Sequence, residues 1–133
     1  SKKPEVLMTH WKHSMHKDHE LTHRIVKDAH FYASLPGLER KDRAHFAKGP
    51  YYAQNWEDAT GFQPYVYIEV SEEGYALWQK AIQEHWFAVN SPSFSYMEYY
   101  AHLMRCNGCL ARTMYAEAFD LDEEAKKLIK KEF

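Results

Sequence analysis

The stretch from Asp18 to Leu38 constrains the fold more than any other part of this chain. Leu21, Ile25, Val26, Ala29 and Ala33 recur with the spacing of one helical face. Asp18 stands where an N-cap is wanted, and Pro36-Gly37 stops the chain. The spacing predicts a helix over 18–34. Beside its apolar face, His19, His23, Val26 and His30 form a second stripe that steps by four, three and four residues. A helix that carries imidazoles next to its buried face can set a base against an apolar pocket, which makes this the first place to look for chemistry.

A chain of 133 residues is expected to form one domain with one core. Aromatic residues make up 16% of it, including ten Tyr and four Trp. A small core cannot hide that many with every polar tip satisfied, so some should line a cavity or a subunit interface. The formal charge of -2 lacks the strong basic signature of a nucleic-acid binder, so no nucleic-acid partner is expected. Nine histidines give the chain a charge that depends on pH near neutrality. Cys106 and Cys109 form a single CxxC without a second pair, and they read as ordinary thiols in a reducing compartment. No apolar run approaches the about 18 residues of a membrane span, so no membrane partner is expected, and the cytoplasm is the expected location.

Residues 5–12 read as a strand buried on both faces, followed by the helix 18–34. Residues 39–47 are polar but sit where an edge strand fits, and 49–62 read as a loop rich in aromatics. Gln63–Val70 is the clearest strand, with Tyr65, Tyr67 and Glu69 alternating against Val66, Ile68 and Val70. Ser71 is a good N-cap for a helix over 72–87. Ser91-Pro92-Ser93 breaks the chain before a short helix, Asn107-Gly108 turns it, and 109–119 read as a last strand. Residues 120–133 have the pattern of an amphipathic tail helix. The order β-α-β-β-α-(α)-β is the split β-α-β, ferredoxin-like pattern of the α+β class, with an antiparallel sheet. Its domain is expected over 1–119, with the tail helix over 120–133. Two helices on one face leave the other face of such a sheet bare, and a homodimer would cover it.

Glu20, His30 and the turn Leu35-Pro36-Gly37-Leu38 resemble the EthD family of the dimeric α/β-barrel superfamily. There, an acid and a histidine on one helix lead into a Leu-Pro-Gly turn. Gln63–Ile82 and Ser91-Pro92 are similar to that family's second half. Ile25, Val26 and Tyr32 replace an aromatic pair and a proline of its pattern, which implies a different substrate. The resemblance implies a dimeric α/β barrel of ferredoxin-like subunits. It also implies cofactor-free chemistry of the kinds found in that superfamily: dehydration, cyclisation, isomerisation or oxygenation.

His30 is the leading candidate base. On the inner edge of its helix it would be partly desolvated, hence neutral and able to take a proton. The alternative is a core-edge histidine bonded to a backbone carbonyl. Tyr65 and Tyr67 share one strand face, and with His10 they are candidates to polarise a substrate oxygen; equally, the two tyrosines could pack a partner sheet. Trp11, Val26, His45, Tyr52, Trp56 and Trp86 are candidates to line the substrate pocket. Tyr52 and Trp56, together with Tyr51, could form a lid or simply pin their loop. His19 and His23 are spaced to bind zinc from one helix, but no third ligand is evident, and neither metal nor cofactor is expected. These residues suit a cofactor-independent lyase, dehydratase, cyclase or isomerase acting on a small aromatic or polyketide-like molecule. The alternatives are a cofactor-free monooxygenase and a non-catalytic accessory subunit of a larger enzyme.

Overall fold

The computed structural model describes residues 2–132. It is a mixed α+β structure with a four-stranded sheet in the order β1-β2-β4-β3, and the class and strand count are as the sequence led us to expect. Its residues group into two compact units, 1–66 with 119–133, and 67–118. Among the described residues, no helix is long and apolar enough to cross a membrane.

The first unit opens with β1 (Val6–Thr9) and α1 (Lys17–Ser34), then β2 (Lys48–Ala53). β1 and β2 are direct parallel neighbours, while β2 and β4 pair antiparallel. The sheet is therefore mixed, and α1 is the crossover of a closed β-α-β unit rather than a split one. β1 is not buried on both faces: Val6 and Met8 are exposed, and Leu7 and Thr9 are half-buried. The second strand is not at 39–47 but at 48–53, inside the stretch that reads as a loop. Gly49-Pro50 conceals it. Proline in an inner strand is tolerated only at an irregularity, and the β1–β2 register shifts at this point. Gly49 has φ +105°, and a Cβ there would lie 2.6 Å from the Leu7 carbonyl oxygen, so the close approach of the two strands needs glycine.

Trp11 and Tyr52 make the centre of this unit. Their rings meet edge to face at 5.3 Å, Phe62 closes on Trp11 at 5.6 Å, and the Trp11 indole donates to the Thr60 carbonyl at 2.9 Å. Asp120 is buried and accepts from the backbone N–H groups of Gln63 and Leu121 and from the Lys126 ammonium. The tail beyond it forms only a short 3-10 turn, Glu123–Ala125, among the described residues, not the expected helix.

In the second unit, Ser71 caps α2 (Glu72–Gln83) as expected, its hydroxyl accepting from Gly74 N–H at 3.1 Å. The helix expected over 72–87 is interrupted at 84–85, and α3 (Trp86–Asn90) follows. α4 (Tyr96–Ala111) runs through Asn107-Gly108, which is not a turn. A Cβ on Gly108 would lie 2.5 Å from the Met114 carbonyl oxygen, so glycine is there to let the returning chain pack against the helix. β3 (Val66–Val70) and β4 (Tyr115–Asp120) supply the strands, with Ala116 and Ala118 fully buried and Tyr75 stacked on Tyr115 at 4.0 Å.

Candidate functional site

The inner face of α1 is the histidine stripe. His23 is buried and His19, Val26 and His30 are half-buried, whereas Leu21 and Ile25 are more than half exposed. An imidazole can take the inward position because each one finds an acceptor, which removes the cost of burying it. His30 donates from Nε2 to the Ala47 carbonyl at 2.9 Å, and His23 donates from Nδ1 to the His10 carbonyl at 2.9 Å. His19 donates from Nδ1 to Asp58 Oδ1 at 3.1 Å. A carboxylate and a carbonyl only accept, so each contact fixes which ring nitrogen carries the proton.

Asp58 is the end of a 3-10 turn, Trp56–Asp58, that follows β2. The Asn55 side chain accepts from Glu57 N–H and caps this turn, and Met15 N–H donates to the Glu57 carbonyl, tying the β1–α1 connection to it. Asp58 is fully buried. Its second oxygen, Oδ2, has no hydrogen-bond partner and lies 3.6 Å from His10 Nδ1. The His10 and His19 rings stack at 3.9 Å and within 13° of parallel. Two imidazoles thus share one buried carboxylate. The Ser14 hydroxyl is 3.3 Å from His19 Nδ1, and His16 meets Glu57 at 3.1 Å beside them.

The segment bearing His10 is held from below. Burial pushes the His23 imidazole below its ordinary pKa of 6.5, so it stays neutral as it grips the His10 carbonyl. Its ring lies 4.8 Å from that of Tyr52. Tyr52 is completely buried and donates to Asp122 at 2.9 Å. Burial first, and then the adjoining carboxylate, hold its hydroxyl protonated far above the usual tyrosine range. Burial alone would raise Asp122, but the Lys27 ammonium at 2.9 Å and the Tyr52 hydroxyl together bring it below its ordinary value.

His30, Val26 and His45 line one hollow of about 350 Å³. His45 is fixed there by donating to the Pro4 carbonyl at 2.7 Å. The His30 ring packs 5.0 Å from Phe46 and also borders a smaller hollow of about 220 Å³. Trp11 and Tyr52 are core residues, and Trp56 opens the turn that carries Asp58. Tyr65 is about half exposed, with the Lys126 ammonium over its ring at 5.7 Å. Tyr67 and Trp86 belong to the second unit, Trp86 with 73% of its surface exposed, and neither lines the two hollows described.

The residue that sequence reasoning missed is Asp58. An acid beside Glu57 in an aromatic loop carries no spacing signal; the available hint was an excess of histidines near residues 10–23 with no counter-charge assigned to them. The third group wanted by a metal reading of this segment is likewise Asp58, with His10 rather than His23 as the second imidazole. One ligand atom each from His10, His19 and Asp58 lies within 4.8 Å of the others, and these three could hold a divalent ion.

No model of a known protein family matches the chain, so membership of the EthD family is not confirmed, and no curated protein matches it. Among solved structures the chain is similar to GalB, the 4-carboxy-2-hydroxymuconate hydratase from Pseudomonas putida KT2440, with a TM-score of 0.71 and 15% sequence identity. The likeness covers 98% of this chain and 55% of that one, so the chain spans about half the length of the structure it matches. At this identity the likeness shows a shared fold.

Proposed function

We infer that this protein is a lyase that moves water onto or off a small conjugated acid, with His10, His19 and Asp58 as its acid–base centre. The observation that carries this reading is the pair of stacked imidazoles on one fully buried carboxylate. With Nδ1–H committed to Asp58, neutral His19 carries its lone pair on Nε2, the arrangement of a general base. In hydration, Nε2 takes a proton as the water oxygen bonds to the β-carbon of the unsaturated acid. The π electrons of the C=C bond move toward the carbonyl. Protonated His10 then returns a proton to the α-carbon, so that the elements of water are added and the acid–base pair has exchanged one proton. Asp58 supplies the counter-charge for whichever ring is cationic and need not itself be protonated. The fold neighbour is by name a hydratase, which supports a water-moving lyase as the reaction class.

The test is to offer the chain 4-carboxy-2-hydroxymuconate and simpler conjugated 2-hydroxydienoates and to follow the loss of their near-ultraviolet absorbance. Turnover that disappears in His19→Gln supports the assignment. Turnover equal to wild type in that variant defeats it.

A second reading is favoured by Asp58 Oδ2, which is buried and has no hydrogen-bond partner. A divalent ion on His10, His19 and Asp58 would satisfy that oxygen and would lower the pKa of a bound water. Metal analysis of protein purified without a histidine tag separates the two. A stoichiometric ion whose removal by a chelator abolishes turnover selects the metal; turnover indifferent to chelation selects the proton relay.

A further inference from the structure

The larger hollow lies away from the acid–base centre. His19 and His30 stand eleven positions apart on α1, or about 16 Å along its axis. Its floor is aliphatic: Leu7 from β1, Val26, Ala29 and Ala33 from α1, and Ala47 just before β2. Its rim is cationic. Lys2, Lys3, Arg40 and Arg43 border it, against the single carboxylate of Asp42. Arg40 is anchored in place, its guanidinium donating to the carbonyls of Tyr32 and Leu35 at the end of α1. The two histidines of the wall already spend one nitrogen each on backbone carbonyls, His30 on Ala47 and His45 on Pro4.

An aliphatic floor under an excess of positive charge, with Arg40 held in place, selects a particular kind of molecule. A neutral lipid would leave the rim charges unanswered, and a small hydrophilic anion would leave the floor wet. A molecule with a hydrocarbon body and one anionic end satisfies both. A volume of about 350 Å³ is at the small end for ligand sites and suits a short chain rather than a full-length fatty acid.

We propose that this hollow is a binding site for a medium-chain carboxylate, with the tail on Leu7, Val26 and Ala33 and the carboxylate among Lys3, Arg40 and Arg43. The site is independent of the acid–base centre and stands or falls separately from it.

The probes are octanoate, octanol and acetate, titrated into the full chain by calorimetry with parallel amide NMR. Octanoate should bind at least about tenfold more tightly than either control, because each control lacks one of the two recognised parts. Raising the salt concentration should weaken octanoate and leave octanol unchanged. The double substitution Lys3→Ala with Arg43→Ala should weaken octanoate about tenfold. Ala29→Trp, which would fill the floor of the hollow, should block it, and amide shifts on octanoate addition to the unsubstituted chain should centre on Val26, Ala29 and Ala33, a readout that does not depend on the variant's folding. Asp58→Asn should leave octanoate binding unchanged. Octanol binding as well as octanoate, or shifts centred away from these α1 residues, would overturn the proposal.

Discussion

Replacing Asp58 by Asn separates a working carboxylate from a structural one. The side chain is fully buried, and the two groups have the same shape. Asn Oδ1 can still accept from His19 Nδ1, the hydrogen bond Asp58 makes here, and Asn Nδ2, placed where Oδ2 stands 3.6 Å from His10 Nδ1, can donate to that nitrogen once the side chains close by about 0.5 Å. The hydrogen bonds of the fold are therefore conserved, and the variant should lose less than about 1 kcal/mol of stability, a shift of no more than roughly 5 °C in Tm. The charge is lost, however. A hydrogen bond to a charged partner contributes about 1.5–3 kcal/mol. If that stabilisation of the imidazolium is expressed in the transition state, its loss lowers kcat/KM by about ten- to 150-fold. Steady-state kinetics on the conjugated acid and a thermal melt of the same preparation give both numbers. The opposite pattern would make Asp58 a structural residue only: turnover near wild type with a stability loss of about 3–5 kcal/mol, as expected when a buried structural ion pair is broken.

Two further outcomes follow from the layer beneath the site. Tyr52→Phe removes a buried donor to a carboxylate that keeps its Lys27 partner, and should cost about 1.5 kcal/mol in chemical denaturation without changing the products of turnover; an unchanged midpoint would contradict the role assigned to this hydroxyl. His23 is held below its ordinary pKa by burial, so the unfolded chain binds its proton first as pH falls. Its contribution is intact above pH 6.5 and is lost as pH falls from there through its lowered native value. Denaturation midpoints measured between neutral and mildly acidic pH should therefore fall, and His23→Gln should flatten that part of the profile; an equal slope in the variant would show that other groups cause it.

The α+β class, the helix 18–34, the strand ending at Val70 and the Ser71 cap were legible because each is set by local periodicity or capping chemistry. What was not legible depended on contacts distant in sequence. Leu21 and Ile25 look like the buried face of α1, yet the imidazoles displaced them, since only partners from His10 just after β1, from Ala47 and from the Asp58 turn make that face habitable for histidine. β2 was hidden by Gly49-Pro50, whose value is visible only beside the Leu7 carbonyl. Asn107-Gly108 looked like a turn because asparagine and glycine favour turns; inside α4 the glycine serves instead the close approach of residues 114–115. The spacing of His30 is a local feature of one helix, whereas the carboxylate joining His10 to His19 comes from a loop about forty residues away and left no periodic trace.

The acid–base role of His10 and His19 is tested by following the histidine ring signals by NMR while a non-turning conjugated acid is titrated into the chain. The ring protons of His10 and His19 should shift together and saturate with the ligand, while those of His85 and His102 in the second unit stay put. Saturable shifts confined to other histidines, with His10 and His19 unmoved, would show that the acid binds elsewhere and that these two rings are not its acid–base centre.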